Sequence, residues 1–185
     1  MKQRPIIKQI KKLPQKGQKR GTMKDHIRTA AMADLPRIEQ LYAGARAFMA
    51  ASGNPGQWGS GHPARQVVER DIQQGNLYVL EGEKGIRGMF AFLLGEDPTY
   101  QRIYDGAWHY TLPYGTLHRV AGDGSGGVLA AAVAFARQRC AYLRIDTHEQ
   151  NTPMRRAIER AGFHPCGTIL TDDGSPRLAF DLLFP

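Results

Sequence analysis

The sequence predicts a mixed α/β fold with a largely antiparallel central sheet, its elements running β-α-α-β-β-β-α-β-α-β-β. Three observations carry this. Along residues 25–185, apolar residues at helical spacing alternate with short apolar runs of strand length. In the first half, Leu77 to Leu80 and Met89 to Leu94 are joined by Gly82-Glu83-Lys84-Gly85, the mark of a hairpin. In the second half, strand, glycine-rich turn, helix and strand follow in succession, which makes one β-α-β unit.

Each element has its own reason. His26 to Thr29 is a short strand. A helix opens at Ala33 or Asp34 with Pro36 in its first turn, where the missing N–H costs nothing. Leu35, Ile38, Leu41, Tyr42, Ala45, Phe48 and Met49 recur every three or four residues and form its inward face. Residues 52–61 read as a loop. A second helix runs from about Pro63 to Gln74 and stops at Gly75. After the hairpin, a segment from Glu96 to Tyr114 carries Tyr100, Tyr104, Trp108, Tyr110 and Tyr114. Leu117 to Ala121 is a strand, Gly127 to Cys140 a helix, Tyr142 to Thr147 a strand and Thr152 to Arg160 a helix. The strands Gly167 to Leu170 and Leu178 to Phe184 close the chain around Thr171-Asp172-Asp173-Gly174-Ser175-Pro176.

The 185 residues suffice for one domain with a full core. The net charge of +8 belongs to one end. Residues 1–24 carry nine basic side chains and no acidic one, whereas the rest holds 16 basic and all 17 acidic residues. We therefore expect a basic, poorly ordered arm over 1–24 and a domain over 25–185. Apolar Ile6, Ile7, Ile10 and Leu13 would allow a short amphipathic helix in the arm. An arm of this charge either stays solvated or attracts nucleic acid, ribosomes or an acidic membrane. No aromatic residue interleaves its charges, so nucleic acid is expected only through electrostatics. The longest apolar run, Val128 to Ala136, cannot span a bilayer, and no signal-peptide core follows Met1. Cys140 and Cys166 make neither a disulfide scaffold nor a zinc motif. These features read as a soluble cytoplasmic protein with no metal.

The most informative segment is Leu117-His118-Arg119-Val120-Ala121-Gly122-Asp123-Gly124-Ser125-Gly126-Gly127-Val128. A strand feeding glycines and then a helix aims backbone N–H groups and the positive end of the helix dipole at one spot. Phosphate or pyrophosphate is the natural ligand. Gly122, Gly124 and Gly127 match G-x-G-x-x-G, and Asp146 ends the next strand, so an NAD(P)-dependent oxidoreductase is one reading. Against it, a hairpin precedes the motif and only one further helix follows it, whereas a dinucleotide domain repeats its β-α-β pattern after the fingerprint.

Residues 25–185 also resemble the GNAT N-acetyltransferase superfamily, in a bacterial branch. The resemblance rests on element order, on the strand–glycine turn–helix from Leu117 to Cys140, and on Leu143 to Asn151 followed by Met154 to Gly162-Phe163. Gln57-Trp58-Gly59, Gly167-Thr168-Ile169-Leu170 and Arg177-Leu178-Ala179-Phe180 add to it. It implies an acetyl-CoA-dependent transferase acting on a primary amine of a small molecule or peptide by direct attack in a ternary complex. By the same resemblance Val120, Gly122, Gly124, Ser125, Gly126, Gly127, Val128, Leu129, Ala130 and Asn151 would bind the cofactor. Asn151 equally suits a helix N-cap. In the family's Gly-x-Gly register Leu129 takes the third place, and the position of the family's acidic tyrosine is Ile158.

Acetyl transfer requires a neutral amine and therefore a base. The candidates near the expected splay of the two strands are His118, Asp146 and His148. Trp58, Trp108 and Tyr110 are the candidates for the acceptor side, although aromatic residues of this kind also serve as packing. A non-catalytic acyl-CoA-binding or nucleic-acid-binding module is a further alternative, and a homodimer is left open.

Overall fold

The computed structural model describes residues 25–59 and 61–185. The strands are β1 (His26–Thr29), β2 (Leu77–Gly82), β3 (Gly85–Leu94), β4 (Gly115–Gly122), β5 (Tyr142–Thr147), β6 (His164–Leu170) and β7 (Pro176–Leu183). The helices are α1 (Leu35–Ala51), α2 (Arg65–Gln73), α3 (Val128–Arg137) and α4 (Thr152–Arg160). Single 3-10 turns precede α1 and follow β3. The element order is the one the periodicities predict. The expectations of a basic, poorly ordered arm and of a short amphipathic helix within it fall outside the described residues.

One sheet runs β1-β2-β3-β4-β5-β7-β6. Every neighbouring pair is antiparallel except β4–β5. That pair is joined through α3, and a crossover of this length returns the chain in the same direction.

Strand alternation sorts the core into layers. Met89 and Ala91 of β3 enter a cluster with Leu35, Ile38, Leu41 and Tyr42 of α1 and with Val68 and Ile72 of α2. Phe90 and Phe92 point the opposite way, against Leu129, Ala132, Phe135 and Ala136 of α3 and Ile158 of α4. A third cluster covers the β5–β7–β6 end of the α1 face, where Tyr100 and Tyr114 pack on Tyr142, Ile169 and Ala179. The aromatic segment is thus a loop folded over the sheet, taking the place that a helix fills at the other end.

Two expectations about the elements change. Phe48 leaves the inward face of α1 and is 59% exposed, while Met49 beside it stays buried. The sixth strand starts earlier, at His164, since its first residues pair with Asp181 and Phe180 of β7. No helix among the described residues is long and apolar enough to cross a membrane.

Candidate active site

β4 and β5 pair only over Gly115–Leu117 with Leu143–Ile145. Both strands continue, but apart, so a wedge opens beyond Leu117. Into it opens a cleft of about 1180 Å³, bounded by α1, the 56–62 loop, β4, the start of α3, β5, α4 and the β6–β7 turn.

A bulge shapes the β4 side of the wedge. Met89 pairs with Ala121 but Ala91 pairs with His118, so Phe90 faces two residues, Arg119 and Val120. Arg119 carries φ +51°. A left-handed non-glycine residue costs about 1–3 kcal/mol and persists only when its surroundings hold it. Here they do. The Arg119 guanidinium lies 2.6 Å from the Asp71 carboxylate of α2, and the Tyr42 hydroxyl donates to the Arg119 carbonyl at 3.4 Å.

The glycine turn closes the wedge at its far end. Gly124, Gly126 and Gly127 all have positive φ, between 78° and 89°, which only glycine adopts without strain. Arg87 of β3 clamps the turn: its carbonyl accepts from Asp123 N–H at 2.9 Å, and its Nη1 donates to Gly126 O at 2.7 Å and Ser125 Oγ at 3.2 Å. Asp123 accepts from Ser125 N–H and Oγ; these bonds hold its carboxyl below the usual range. Gly127 caps α3, so the N–H groups of Val128, Leu129 and Ala130 precede the first intrahelical bond and face outward with the dipole. Val128 fills the space left by two glycines. A Cβ at Gly88 or Gly122 would lie 2.5 or 2.7 Å from its Cγ2, and Gly88 and Gly122 are register partners.

The proton-transfer candidates separate. His118 lines the cleft, and its Nε2 lies 2.7 Å from Asp97 Oδ2. Burial would raise the Asp97 carboxyl, but the His118 hydrogen bond and charge and the Thr99 N–H outweigh it and leave it below its ordinary value. Asp146 also lines the cleft and accepts from the Tyr100 hydroxyl at 2.5 Å, not from Arg144. Burial, then the Asp146 charge and hydrogen bond, push the Tyr100 phenol well above its ordinary value, so it stays a donor. The Tyr100 ring meets His118 edge-on at 5.6 Å. His148 does not line the cleft; its Nδ1 accepts from Gln150 N–H at 3.2 Å and shapes the turn after β5.

Of the expected cofactor residues, Val120, Gly122, Gly124, Gly126, Gly127, Val128, Leu129 and Asn151 line the cleft. Ser125 turns to the opposite side of the loop, toward Arg87, and lines a separate groove along α3. The Ala130 side chain is exposed outside the cleft, and its N–H in the first helical turn is what it contributes. Asn151 caps α4, its Oδ1 accepting from Met154 N–H, while its Nδ2 donates to Gln57 Oε1 at 2.7 Å. Gln57 Oε1 also accepts from Asn54, so one amide ties the loop after α1 to the start of α4. Ile158 is fully buried against α3 and the sheet, far from any proton-transfer role.

On the acceptor side, Trp58 lines the cleft and meets Tyr42 edge-on. Trp108 and Tyr110 do not. Trp108 stacks on Tyr100 and under the Arg144 guanidinium, 4.0 Å from its ring centre, and Tyr110 packs on Tyr142. The loop that carries them folds onto the β5–β7 end of the sheet and turns both rings away from the wedge. Sequence periodicity carried no signal for Asp97, Tyr100 or His62, which lie in loops. His62 lines the cleft beside Trp58. Partial burial, then the Arg119 and Arg177 charges, hold its imidazole below the ordinary value. Arg177, Asp172 and Asp173 complete the rim; the Thr171 hydroxyl and Ser175 N–H draw the Asp173 carboxyl down to about 2.

The setting of the G-x-G-x-x-G match does not favour a dinucleotide site. The match sits in a sheet with a single parallel pair, with no repeated β-α-β unit beside it, and Asp146 is taken by Tyr100.

No family model and no curated protein matches the chain. Solved structures do. A GNAT-family acetyltransferase from Streptococcus agalactiae is 27% identical, with a TM-score of 0.78 over 89% of this chain and 98% of that one. The ribosomal-protein-alanine N-acetyltransferase of Brucella melitensis shares the fold at 21% identity, with a TM-score of 0.57 over 86% and 99%. The yncA protein of Salmonella typhimurium, solved with its cofactor acetyl-CoA, shares it at 16% identity, with a TM-score of 0.56 over 88% and 95%. With the parted β4 and β5, the β4 bulge and the glycine turn opening α3, the chain shares the fold of these GNAT-family acetyltransferases.

Proposed function

We propose that this acetyltransferase carries acetyl from acetyl-CoA to a primary amine of a small molecule or peptide, by direct attack in a ternary complex. The observation that carries the reading is the wedge between β4 and β5, ending on the glycine turn at the start of α3. The residues fit the cofactor. N–H groups of Gly126, Gly127, Val128, Leu129 and Ala130 would hold a pyrophosphate. The edge of β4 from His118 to Gly122 lacks a β5 partner and would pair with an amide-bearing arm. Acetyl-CoA supplies the activated acyl group as a thioester.

The chain's own residues handle the proton. An amine reaches the cleft as an ammonium ion and attacks only after losing a proton. His118 accepts it, directly or through one water. Asp97 fixes the ring and stabilises the imidazolium, as a carboxylate behind a histidine does in other acyl transfers. Asp146, held by Tyr100, attracts the ammonium toward the wedge. His118 passes that first proton to solvent; as the N–C bond forms it takes the second proton from the nitrogen, and as the C–S bond breaks it gives that proton to the departing sulfur, so one proton is released per turnover and no tyrosine is needed at Ile158. Burial of the Asp97–His118 couple supports the role: their side chains are 11% and 17% exposed. His148 takes no part, being outside the cleft.

The test is a thermal-shift series with acetyl-CoA, CoA, NAD and NADP, followed by thiol release across an amine panel. A ligand at about a hundred times its Kd adds about 2.7 kcal/mol. Stabilisation by acetyl-CoA and CoA, with thiol release dependent on an amine, is expected. Stabilisation by NAD or NADP alone would sink the proposal.

A further inference from the structure

A second constellation of chemically active side chains lies under the aromatic loop, outside the cleft lining. His109 Nδ1 sits 2.9 Å from Asp181 Oδ1 and 3.4 Å from Cys166 Sγ. The three ligand-type atoms fall within 4.8 Å of one another. Asp181 is 1% exposed in the middle of β7, and Cys166 is 6% exposed on β6. The His109 side chain, 47% exposed, leaves one side open to solvent.

We propose that His109, Cys166 and Asp181 bind a single zinc-like divalent cation, with water in the fourth place. Three arguments carry this. The first is geometric. Bonds of about 2.0–2.3 Å to nitrogen, oxygen and sulfur place tetrahedral ligands about 3.3–3.6 Å apart. The observed 2.9 and 3.4 Å need only a small expansion.

The second is preorganisation. Backbone bonds hold the loop against β6: Tyr104 N–H donates to Thr168 O at 2.7 Å, Thr168 N–H to Tyr104 O at 2.8 Å, and Ala107 N–H to Cys166 O at 2.9 Å. The approach is close enough that a Cβ at Gly106 would lie 2.0 Å from the Cys166 carbonyl oxygen. Asp181 Oδ2 accepts from the Tyr142 hydroxyl at 2.5 Å and from His109 N–H at 3.0 Å. Those bonds fix the carboxylate from behind, as ligating carboxylates usually are.

The third is charge. A carboxylate this deeply buried needs a compensating cation. Tyr142 and the His109 N–H are neutral donors and the Cys166 thiol cannot balance the charge, so the cationic partner at this carboxylate is either the His109 ring, 2.9 Å away, or a bound cation taking over that contact. Binding releases the thiol proton to solvent, leaving thiolate, neutral imidazole and carboxylate as ligands. The metal then ties the 101–114 loop to β6 and β7, and with it Tyr100 and Trp108. The ligand types, one sulfur, one nitrogen and one oxygen, suit zinc or cobalt and not calcium or magnesium.

The experiment titrates the full-length protein, stripped with a chelator, with Co²⁺ under reducing conditions. A thiolate-to-cobalt charge-transfer band should saturate at one ion per chain. Zn²⁺ should displace it and raise the melting temperature. Cys166→Ser and His109→Ala should each abolish the band and the rise, with the circular dichroism spectrum unchanged. Cys140→Ser should keep both. Absence of the band in the wild-type protein, or its survival in Cys166→Ser, would overturn the proposal. Because neither readout uses acetyl-CoA, its failure leaves the acetyltransferase reading untouched.

Discussion

Arg119 of β4 and Asp71 of α2 form a buried ion pair at 2.6 Å, with side chains 16% and 5% exposed. The pair holds a left-handed arginine at the bulge beside the point where β4 parts from β5. A helix remote in sequence thereby sets the shape of the cleft wall.

Asp71→Ala leaves Arg119 buried without its partner. Breaking a buried pair on one side costs about 3–5 kcal/mol. We expect a loss of that order in urea unfolding and weaker acetyl-CoA binding in calorimetry. A loss under about 1 kcal/mol would mean that solvent screens the pair.

Gly88→Ala pushes a methyl into Val128 Cγ2, 2.5 Å away. Overpacking of this kind costs about 1–3 kcal/mol and should displace the first turn of α3. Affinity for CoA should fall, and Val128→Ala in the same chain should restore much of it. If the two substitutions prove additive in a double-mutant cycle, Val128 is not what the methyl meets.

His118→Gln removes the proposed proton acceptor and should lower kcat about 10²–10⁴-fold. Asp97→Asn should lower kcat less and leave the KM for acetyl-CoA unchanged. An unaltered kcat in His118→Gln, measured with a competent amine, would move the base elsewhere, with His62 the next group in the cleft.

Asp97 also bears on acid stability. Its carboxyl is depressed in the folded state, against about 3.9 in an unfolded chain. The folded protein therefore binds fewer protons, and the contribution is fully present above pH about 4. It is lost as pH falls through the folded value. Unfolding free energy followed by urea from pH 6 downward should drop less steeply in Asp97→Asn. Parallel curves would show that the Asp97 charge does not contribute.

Asn151→Asp keeps the cap on Met154 N–H but loses the donor to Gln57, whereas Asn151→Ala loses both. A cap is worth about 1 kcal/mol. Asn151→Ala should therefore be the less stable variant in urea, and both should loosen residues 54–59 in hydrogen exchange. Unchanged exchange there would mean that Gln57 does not anchor the loop.

The sequence by itself determined the element order, the two hairpin ends and the strand–glycine–helix segment. Those features are written in periods of two and 3.6 residues and in turn residues, all within one element's length. Asn151 as a cap was legible for the same reason. Tertiary structure alone decided which charges meet. His118 finds Asp97 across 21 residues and Asp146 finds Tyr100 across 46. The pairing of Cys166 with His109 spans 57 residues, which is why spacing between two cysteines said nothing of a metal. Folding also turned Trp108 and Tyr110 away from the cleft and brought His62 into it. Strand register and loop docking set these meetings, and both depend on packing over distances that local periodicity does not encode.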